Sequence, residues 1–252
     1  MTLPRFFICD LELETNKEYT LSPSDSHHAV KVLRLQEGDE VEVSDGKGRG
    51  FAARVIATDT SASRVQVTAP LRESRESPLH VTLVQGLLKG DNMDLVVRQA
   101  VELGAHRIIP LVTARSVPRL QRQRTLKKRE RWLNVARAAA GQCGRDILPD
   151  VEIPVDWSDV EGVLESEETA LNLFFWEGEK SQVLHGPESG ITRIAVFVGP
   201  EGGFNREEAG ELKSKGVQVA GMGPRILRAE TAATAALTLV QLIYGDLGGL
   251  QE

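Results

Sequence analysis

Apolar and polar side chains alternate over short stretches of the first 72 residues. The alternation predicts strands over residues 40–43, 51–57 and 64–69, with a tight turn from Asp45 to Gly48 between the first two. One helix is expected among these strands, with Ser26 as its N-cap and an apolar stripe formed by Ala29, Val30, Val32 and Leu33. Short strands at this spacing are typical of a small β-barrel.

The pattern changes near residue 80, where apolar, strand-like runs begin to alternate with longer helical stretches. We predict strands over residues 81–85, 108–112, 170–175, 194–198 and 217–220, and helices over residues 93–104, 125–140, 206–215 and 231–244. Asn205 and Glu208 have the spacing of a capping box at the start of the third helix. This alternation is typical of an α/β domain with a parallel sheet and helices on both faces.

A polar segment that ends in Pro78 separates the two patterns, and we place the domain boundary there. The expected domains are residues 1–73, which form the small β-barrel, and residues 78–252, which form the α/β domain. A chain of 252 residues exceeds a typical single domain and fits one large domain or two unequal ones.

Cysteine use and hydropathy indicate the class of protein. Cys9 and Cys143 are far apart in the chain, which argues against a disulfide framework and against a zinc site. No apolar run reaches the roughly 20 residues of a transmembrane helix, and the N-terminus lacks the apolar stretch of a signal peptide. We therefore expect a cytoplasmic protein that binds no membrane and no metal.

Charge is unevenly distributed along the chain. The formal net charge is −6, but the segment from Arg115 to Arg145 carries ten basic residues and one acid, Glu130. A solvated helix face is the commoner explanation of such a run, whereas binding of several nucleic-acid phosphates is the functional one. The candidates for RNA contact in this basic segment are Arg115, Arg119, Arg122 and Lys128.

Two glycine-containing loops each follow a predicted strand and precede a predicted helix. The first contains Gly199, Pro200, Glu201, Gly202 and Gly203; the second contains Met222, Gly223, Arg225, Ile226, Leu227, Arg228 and Glu230. Parallel sheets bind ligands at the carboxyl ends of their strands, and glycine lets the backbone approach a ligand closely. The two loops therefore form a candidate ligand site.

Neither loop has the lysine of a phosphate-binding P-loop or the glycine spacing of a dinucleotide site. A plain tight turn explains the first loop equally well, and charges like Arg225 are more often surface ion pairs than catalysts. The cluster of apolar and charged side chains in the second loop nevertheless favours a pocket for a purine. The predicted strand from Leu171 to Phe175 adds a third loop, which begins with Trp176 and Glu177.

These loops, followed by Gly245-Asp246-Leu247, resemble the small-subunit (16S) ribosomal RNA uridine-N3 methyltransferase family (RsmE-like) of the SPOUT class. The resemblance extends over nearly the whole chain. Further matching motifs are His28-x-x-x-Val32-Leu33-Arg34, Gln85-x-x-x-Lys89-Gly90-Asp91, Glu102-Leu103-Gly104, Arg115-Ser116-Val117 and Gln142-x-x-Arg145-x-x-x-Pro149. Two positions depart from the family pattern: a lysine is expected near Asn92, and a glutamate at Gly141.

The resemblance implies a PUA-like β-barrel, a C-terminal domain with a trefoil knot, a homodimer and S-adenosyl-L-methionine as cofactor. It implies that backbone groups of Leu173, Gly199, Met222 and Leu227 hold the adenosine, with the other glycine-loop residues around it. The implied partner is 16S rRNA, in the small ribosomal subunit or its precursor. His28 and Arg34 join the basic segment as expected RNA contacts.

Methyl transfer to the N3 atom of uridine requires that a weakly acidic imide proton be removed or polarised. A cation beside the flanking carbonyl oxygens would stabilise the developing negative charge. Arg228 is the first candidate for that cation and Arg145 the second. Glu230 is the candidate general base, or the residue that orients the arginine.

Three other functions remain open on the sequence. The chain could be an RNA-binding module that has lost catalysis, although intact glycines in both loops argue against this. It could be an α/β enzyme with a different nucleotide cofactor, which the missing motifs make unfavourable. A ribose 2′-hydroxyl or a tRNA base could also be the acceptor, and only the resemblance favours the N3 atom.

Overall fold

A computed structural model describes residues 3–9, 11–71, 74–116, 122–166, 171–178 and 190–248 of the chain. It divides into two compact units. The N-terminal unit contains Met1–Glu76 together with Arg137–Leu148, and the C-terminal unit contains Ser77–Ala136 together with Pro149–Glu252. The predicted boundary at residues 73–78 assigned Arg137–Leu148 to the C-terminal domain, whereas in the structure this segment belongs to the N-terminal unit.

The N-terminal unit is built on a five-stranded sheet. Its strands are β1 (Arg5–Phe7), β2 (Glu18–Thr20), β3 (Glu40–Ser44), β4 (Gly50–Ala57) and β5 (Arg64–Pro70), arranged in the order β1-β3-β4-β5-β2. All pairs are antiparallel except β1 with β3. Alternate side chains such as Val41, Val43, Val65 and Val67 are fully buried in one apolar core, as the period of a strand requires.

The helix of this unit begins earlier than the sequence indicated. Helix α1 is Pro23–His27, and a π-helical turn, His28–Val32, follows it. Ser22, not Ser26, is the N-cap: its hydroxyl accepts a hydrogen bond from Asp25 N, and proline suits the first helical position. Ser26 is buried and bonds to the backbone of Leu21 and Ser63. Of the expected stripe, Ala29 is buried but Val32 is 60% exposed.

The C-terminal unit contains a seven-stranded parallel sheet. Its strands are β6 (His80–Gly86), β7 (Ala105–Val112), β8 (Asp150–Val151), β9 (Val155–Asp156), β10 (Leu171–Phe175), β11 (Arg193–Val198) and β12 (Gln218–Ala220). The order is β12-β10-β11-β6-β7-β8, and β9 also pairs with β7. The predicted α/β class is therefore confirmed. The two-residue strands β8 and β9 are too short to give a periodic signal.

Five further helices are α2 (Asn92–Glu102), α3 (Arg122–Cys143), α4 (Val160–Ser166), α5 (Arg206–Ser214) and α6 (Ala229–Tyr244). The predicted capping box is confirmed, because Asn205 accepts from Glu208 N and Glu208 accepts from Asn205 N. Helix α3 is longer than expected at both ends. Helix α6 begins two residues earlier than expected, which places Glu230 in its first turn.

Aromatic side chains fill the core between the sheet and its helices. Phe174 and Phe197, on neighbouring strands, are fully buried, and Phe204 packs edge-on against Phe174 at 4.9 Å between ring centroids. Phe204 follows the first glycine loop directly, so its burial ties that loop to the core. Within the described part of the chain, every helix is too short or too polar to span a lipid bilayer.

Candidate functional site

A cavity of about 510 Å³ opens at the carboxyl ends of β10, β11 and β12. Three loops line it: the first glycine loop after β11, the second glycine loop after β12, and the turn that follows β10. The volume lies within the range of sites for small ligands and cofactors. The first turn of α6 closes part of the wall through Ala229 and Ala232.

The first glycine loop, residues 199–204, is held by several neighbours. Gly203 N donates to Pro200 O at 2.8 Å, and the buried Gln85 side chain donates to Gly199 O at 3.1 Å. Glu201, which was expected to contact a ligand, accepts a hydrogen bond from Lys89 N at 2.9 Å through Oε1. The loop is therefore fixed by the segment after β6 as well as by its own turn.

Gly86, at the end of β6, allows this arrangement because it has no side chain. A Cβ at Gly86 would lie 2.4 Å from Pro200 N and Cδ and 2.8 Å from Gly199 C. Only glycine therefore lets β6 and the loop approach this closely. Gly86 could not be recognised from sequence, because a single glycine at a strand end carries no signal until its neighbour is known.

The second glycine loop, residues 221–228, has much greater exposure. Ile226 is 81% exposed, and a Cβ at Gly223 would meet no atom within 4 Å. Gly223 has φ +87°, which favours glycine. Among the described residues, none forms a hydrogen bond or ion pair with residues 221–227. This loop borders the cavity without being anchored by the rest of the unit.

Most residues expected to bind the cofactor line the cavity. The structure brings together Gly199, Pro200, Glu201, Gly203, Met222, Gly223, Arg225, Ile226 and Leu227. Leu173 is buried in β10, two residues before the lining residue Phe175, and Gly202 lies under the side chain of Arg115. The lining residues that the sequence analysis did not assign include Phe175, Arg206 and Ala229.

The expected catalytic residues lie in different places. Arg228 is the N-cap of α6, is exposed, and stands between the lining residues Leu227 and Ala229. Glu230 is half-buried in the first turn of α6. No ion pair joins Arg228 to Glu230, and within the described residues the Arg228 guanidinium has no partner.

Arg145, the second candidate cation, belongs to the N-terminal unit. Its Nε donates to Glu76 Oε2 at 2.9 Å, and both side chains are almost fully buried. Glu76 also accepts from the backbone N–H groups of Asp146 and Ile147. This pair fixes the returning segment Arg137–Leu148 to the barrel, and Arg145 does not line the cavity. The described contacts of Arg145 are therefore those of a residue that stabilises the N-terminal unit.

Acidic partners neutralise part of the same unit's interior. Arg5 donates to Glu42 and to Asp146, both buried. Burial raises the pKa of Asp146, although the Arg5 cation opposes that shift. Gly141 lies in the same segment, and a Cβ there would be 3.1 Å from Arg5 O. The glutamate expected at position 141 would thus require the Arg5 backbone to move.

Several cations of the basic segment, residues 115–145, already have partners within the protein. Arg131 donates to Asp91 and Asp94, which raises its pKa, and Arg129 donates to Val151 O. Lys128 lies over the Trp132 ring at 5.9 Å, and burial, followed by the nearby Arg131 cation, lowers its pKa. Arg122 lies on α3, but its side chain is not described, and Arg119 lies outside the described residues.

The RNA contacts expected in the N-terminal unit are exposed. His28 begins the π-helical turn, and Arg34 follows it with φ +57°, an uncommon conformation for a residue with a side chain. A second cavity, in the C-terminal unit, is lined by acidic residues that include Asp156, Glu207 and Glu211. Among the described residues, no group of His, Cys, Asp and Glu could hold a metal ion.

A cleft at the strand ends of a parallel sheet, bordered by two glycine loops, defines an α/β protein with a site for a small ligand. Comparison with known proteins is more specific. The model of the RNA methyltransferase domain family matches residues 75–241, and that of the RNA methyltransferase PUA domain matches residues 21–67. The chain therefore belongs to the RNA methyltransferase family that pairs these two domains.

The similar proteins include named methyltransferases. A protein of Bacillus subtilis (strain 168) named ribosomal RNA small subunit methyltransferase E is 32% identical over 97% of this chain and 100% of its own. The structure of a methyltransferase from Legionella pneumophila with bound SAM has a TM-score of 0.88 at 30% identity, covering 98% of this chain and 100% of that one.

The structure of a ribosomal RNA small subunit methyltransferase E from Neisseria gonorrhoeae, bound to S-adenosyl methionine, has a TM-score of 0.85 at 29% identity. It covers 97% of this chain and 99% of the other. Both solved relatives span both units of the chain. The similarity is therefore not limited to the sheet that many α/β proteins share.

Proposed function

We propose that this protein transfers a methyl group from S-adenosyl-L-methionine to N3 of a uridine in 16S ribosomal RNA. The observation that carries the proposal is the cavity between the two glycine loops, in a chain whose N-terminal unit matches a PUA domain of RNA methyltransferases. The named relatives act on small-subunit ribosomal RNA, and two solved relatives contain the same cofactor.

The lining of the cavity fits this cofactor. Met222, Ile226 and Leu227 offer apolar surface for an adenine, and the carboxylates of Glu177 and Glu201 border the same space. Gly199 and Gly203 line the cavity with backbone alone, and a Cβ at Gly203 would lie 3.0 Å from Glu177 Oε1. A ligand that joins an apolar purine to a cationic amino-acid part matches such a mixed surface. S-adenosyl-L-methionine, when bound, supplies a methyl group on an activated sulfonium leaving group.

Arg228 has the position expected of the catalytic cation. It is exposed beside the cavity wall, and no partner within the described residues holds its guanidinium. The guanidinium can donate two parallel hydrogen bonds to the carbonyl oxygens beside N3 and so stabilise the imide after loss of its proton. Glu230, two residues after Arg228 in the first turn of α6, is the proposed proton acceptor or the residue that orients Arg228.

RNA recognition is assigned to both units. The N3 atom lies on the pairing edge of uracil, so the target base must be unpaired or flipped out before it can react. His28 and Arg34 on the N-terminal unit, and Arg119, Arg122 and Lys128 of the basic segment, are the proposed phosphate contacts. Those already neutralised by carboxylates, such as Arg131, are less suited to the task.

Three further features are inferred on the same basis. The C-terminal domain is proposed to contain a trefoil knot of the SPOUT class and to form a homodimer through α6, with the cytoplasm as its compartment. Leu242 and Leu247, each about half exposed at the end of this region, support the dimer. Light scattering at low micromolar concentration should then give about twice the 27.6 kDa mass of the chain.

Mass-spectrometric mapping of modified nucleosides tests the proposed acceptor. Ribosomal RNA from cells that lack this protein should have lost one N3-methyluridine of 16S rRNA, and a copy of the gene should restore it. Loss of a ribose 2′-O-methyl group instead, or an unchanged set of 16S modifications, would contradict the proposed function.

A further inference from the structure

Arg115 lies over the first glycine loop. Its Nη1 donates to Gly202 O at 2.6 Å, and it also lines the cavity. Its side-chain carbons cover Gly202 closely: a Cβ on that glycine would be 3.1 Å from Arg115 Cβ and 3.2 Å from Cδ. The absence of a side chain at Gly202 is therefore what lets the arginine lie across the loop and reach its carbonyl.

The turn that carries Arg115 is itself fixed to the far end of the same loop. Ala114 N donates to Glu208 Oε1 at 2.7 Å, while Asn205 N donates to Glu208 Oε2 at 2.8 Å. Glu208 is 4% exposed. One buried carboxylate thus joins the backbone just before Arg115 to the N-cap of α5, which directly follows the glycine loop. Within this turn, Ser116 Oγ accepts a hydrogen bond from Thr113 N at 3.0 Å.

We propose that Arg115 is a positioning residue that holds the first glycine loop in the conformation that binds the cofactor, rather than a contact to RNA phosphate. The inference rests on the proposed function, because it assigns the cavity to S-adenosylmethionine. It differs from the sequence-based expectation for Arg115, which treated the residue as one cation of the basic segment. The bond to Gly202 O commits Nη1 of the guanidinium to the backbone of the loop.

Two other roles make different predictions. A phosphate contact would affect RNA binding and its salt dependence, with cofactor affinity unchanged. A direct contact to the carboxylate of the cofactor would affect only ligands that have that carboxylate. Positioning of the loop should affect every ligand that contacts the loop, including 5′-methylthioadenosine, which lacks the amino-acid part.

Calorimetry without RNA separates these roles. Arg115→Met keeps most of the packing on Gly202 but removes the donor, and we expect it to weaken both S-adenosylmethionine and 5′-methylthioadenosine by about three- to tenfold. Arg115→Lys keeps a donor that can reach the carbonyl, so its affinities should lie closer to wild type. Lys127→Ala, an exposed cation of the same basic segment, is the matched control and should bind both ligands normally.

A double-mutant cycle tests the link to Gly202. Gly202→Ala adds a methyl 3.1 Å from Arg115 Cβ, so the arginine side chain must shift. The double variant with Arg115→Met should therefore bind each ligand no more than about twofold less tightly than the single variant with the lower affinity. Kinetics should show a raised KM for the cofactor with kcat nearly unchanged. Melting temperatures confirm that the variants are folded.

The inference is overturned if Arg115→Met binds both ligands as wild type does, or if its loss is confined to S-adenosylmethionine. Fully additive losses in the cycle would also overturn it. If wild type itself binds neither ligand, the proposed function fails, which is a separate result from equal binding by wild type and variant.

Discussion

The two loops that border the cavity are held in opposite ways. The first is bound by Gln85, Lys89 N and Arg115, and its end is capped by Asn205 and anchored through the buried Phe204. The second has no such anchors among the described residues, and its apolar Ile226 is exposed. One wall of the site is therefore held in place by the rest of the unit, whereas the other has no such support among the described residues.

The difference suggests a division of work between the walls. A preformed wall binds a ligand without an ordering cost, so it is suited to the cofactor. An unanchored wall that ends in Arg228 can adjust when a large substrate base arrives, at the cost of ordering that segment. Changes in the first wall should mainly alter cofactor affinity, and changes in the second should mainly alter the rate.

The largest effect is expected from Gly86→Ala. The new methyl would lie 2.4 Å from backbone and ring atoms of Pro200, so the first glycine loop must move. We expect S-adenosylmethionine affinity to fall by on the order of 100-fold, and the free energy of unfolding by about 1–3 kcal/mol from overpacking. Calorimetry and thermal unfolding measure the two quantities.

Gly210→Ala is the matched control for this change. It makes the same substitution in α5, where a Cβ meets no atom within 4 Å. It should slightly stabilise the helix, by up to about 1 kcal/mol, and leave affinity unchanged. Normal cofactor binding by a folded Gly86→Ala protein would show that the first wall does not need its close contact with β6.

A smaller effect, on rate alone, is expected from Arg228→Lys. Lysine keeps the positive charge but loses the planar pair of donors, so single-turnover methylation of small subunits should slow by about tenfold or more, with unchanged cofactor affinity. Because the Arg228 guanidinium has no partner among the described residues, a slower rate could not be explained by the loss of a structural ion pair. Wild-type turnover by this variant would remove Arg228 from the mechanism.

The smallest effect is expected from Gly223→Ala in the second loop. Its φ of +87° penalises a side chain by about 1–2 kcal/mol, but the surrounding space is open and the loop can shift to relieve the strain. The free energy of unfolding should therefore fall by no more than about 1 kcal/mol, and cofactor affinity by less than tenfold. A loss as large as that of Gly86→Ala would mean that the two walls are equally rigid.

Much of this arrangement could be predicted from sequence because it depends on local signals. Period-two alternation located β3, β4 and β5, and the Asn205–Glu208 spacing located the start of α5. The two glycine loops marked the site because each joins a strand to a helix. A strand followed by glycines indicates the carboxyl edge of a sheet, where parallel strands bring distant loops together.

The features that escaped prediction depend on partners distant in the chain. Gly86 is informative only once Pro200 is seen beside it, and Glu208 could be read as a cap but not as an acceptor for Ala114 N. Arg145 has the charge of a catalytic cation, but its buried ion pair with Glu76 becomes visible only in the folded structure. Ser26 follows the pattern of a cap, but Ser22 precedes proline and begins the helix.

The most direct test of the proposed function uses the purified protein, S-adenosylmethionine with a deuterated methyl group, and small ribosomal subunits that lack the methylation. After the reaction, the RNA is digested and its nucleosides are analysed by mass spectrometry. We predict a single labelled nucleoside, N3-methyluridine, in 16S rRNA, and little product from Gly86→Ala at a cofactor concentration that suffices for wild type. Label on a ribose or on another base, or no label from folded wild-type protein that binds S-adenosylmethionine, would contradict the proposal.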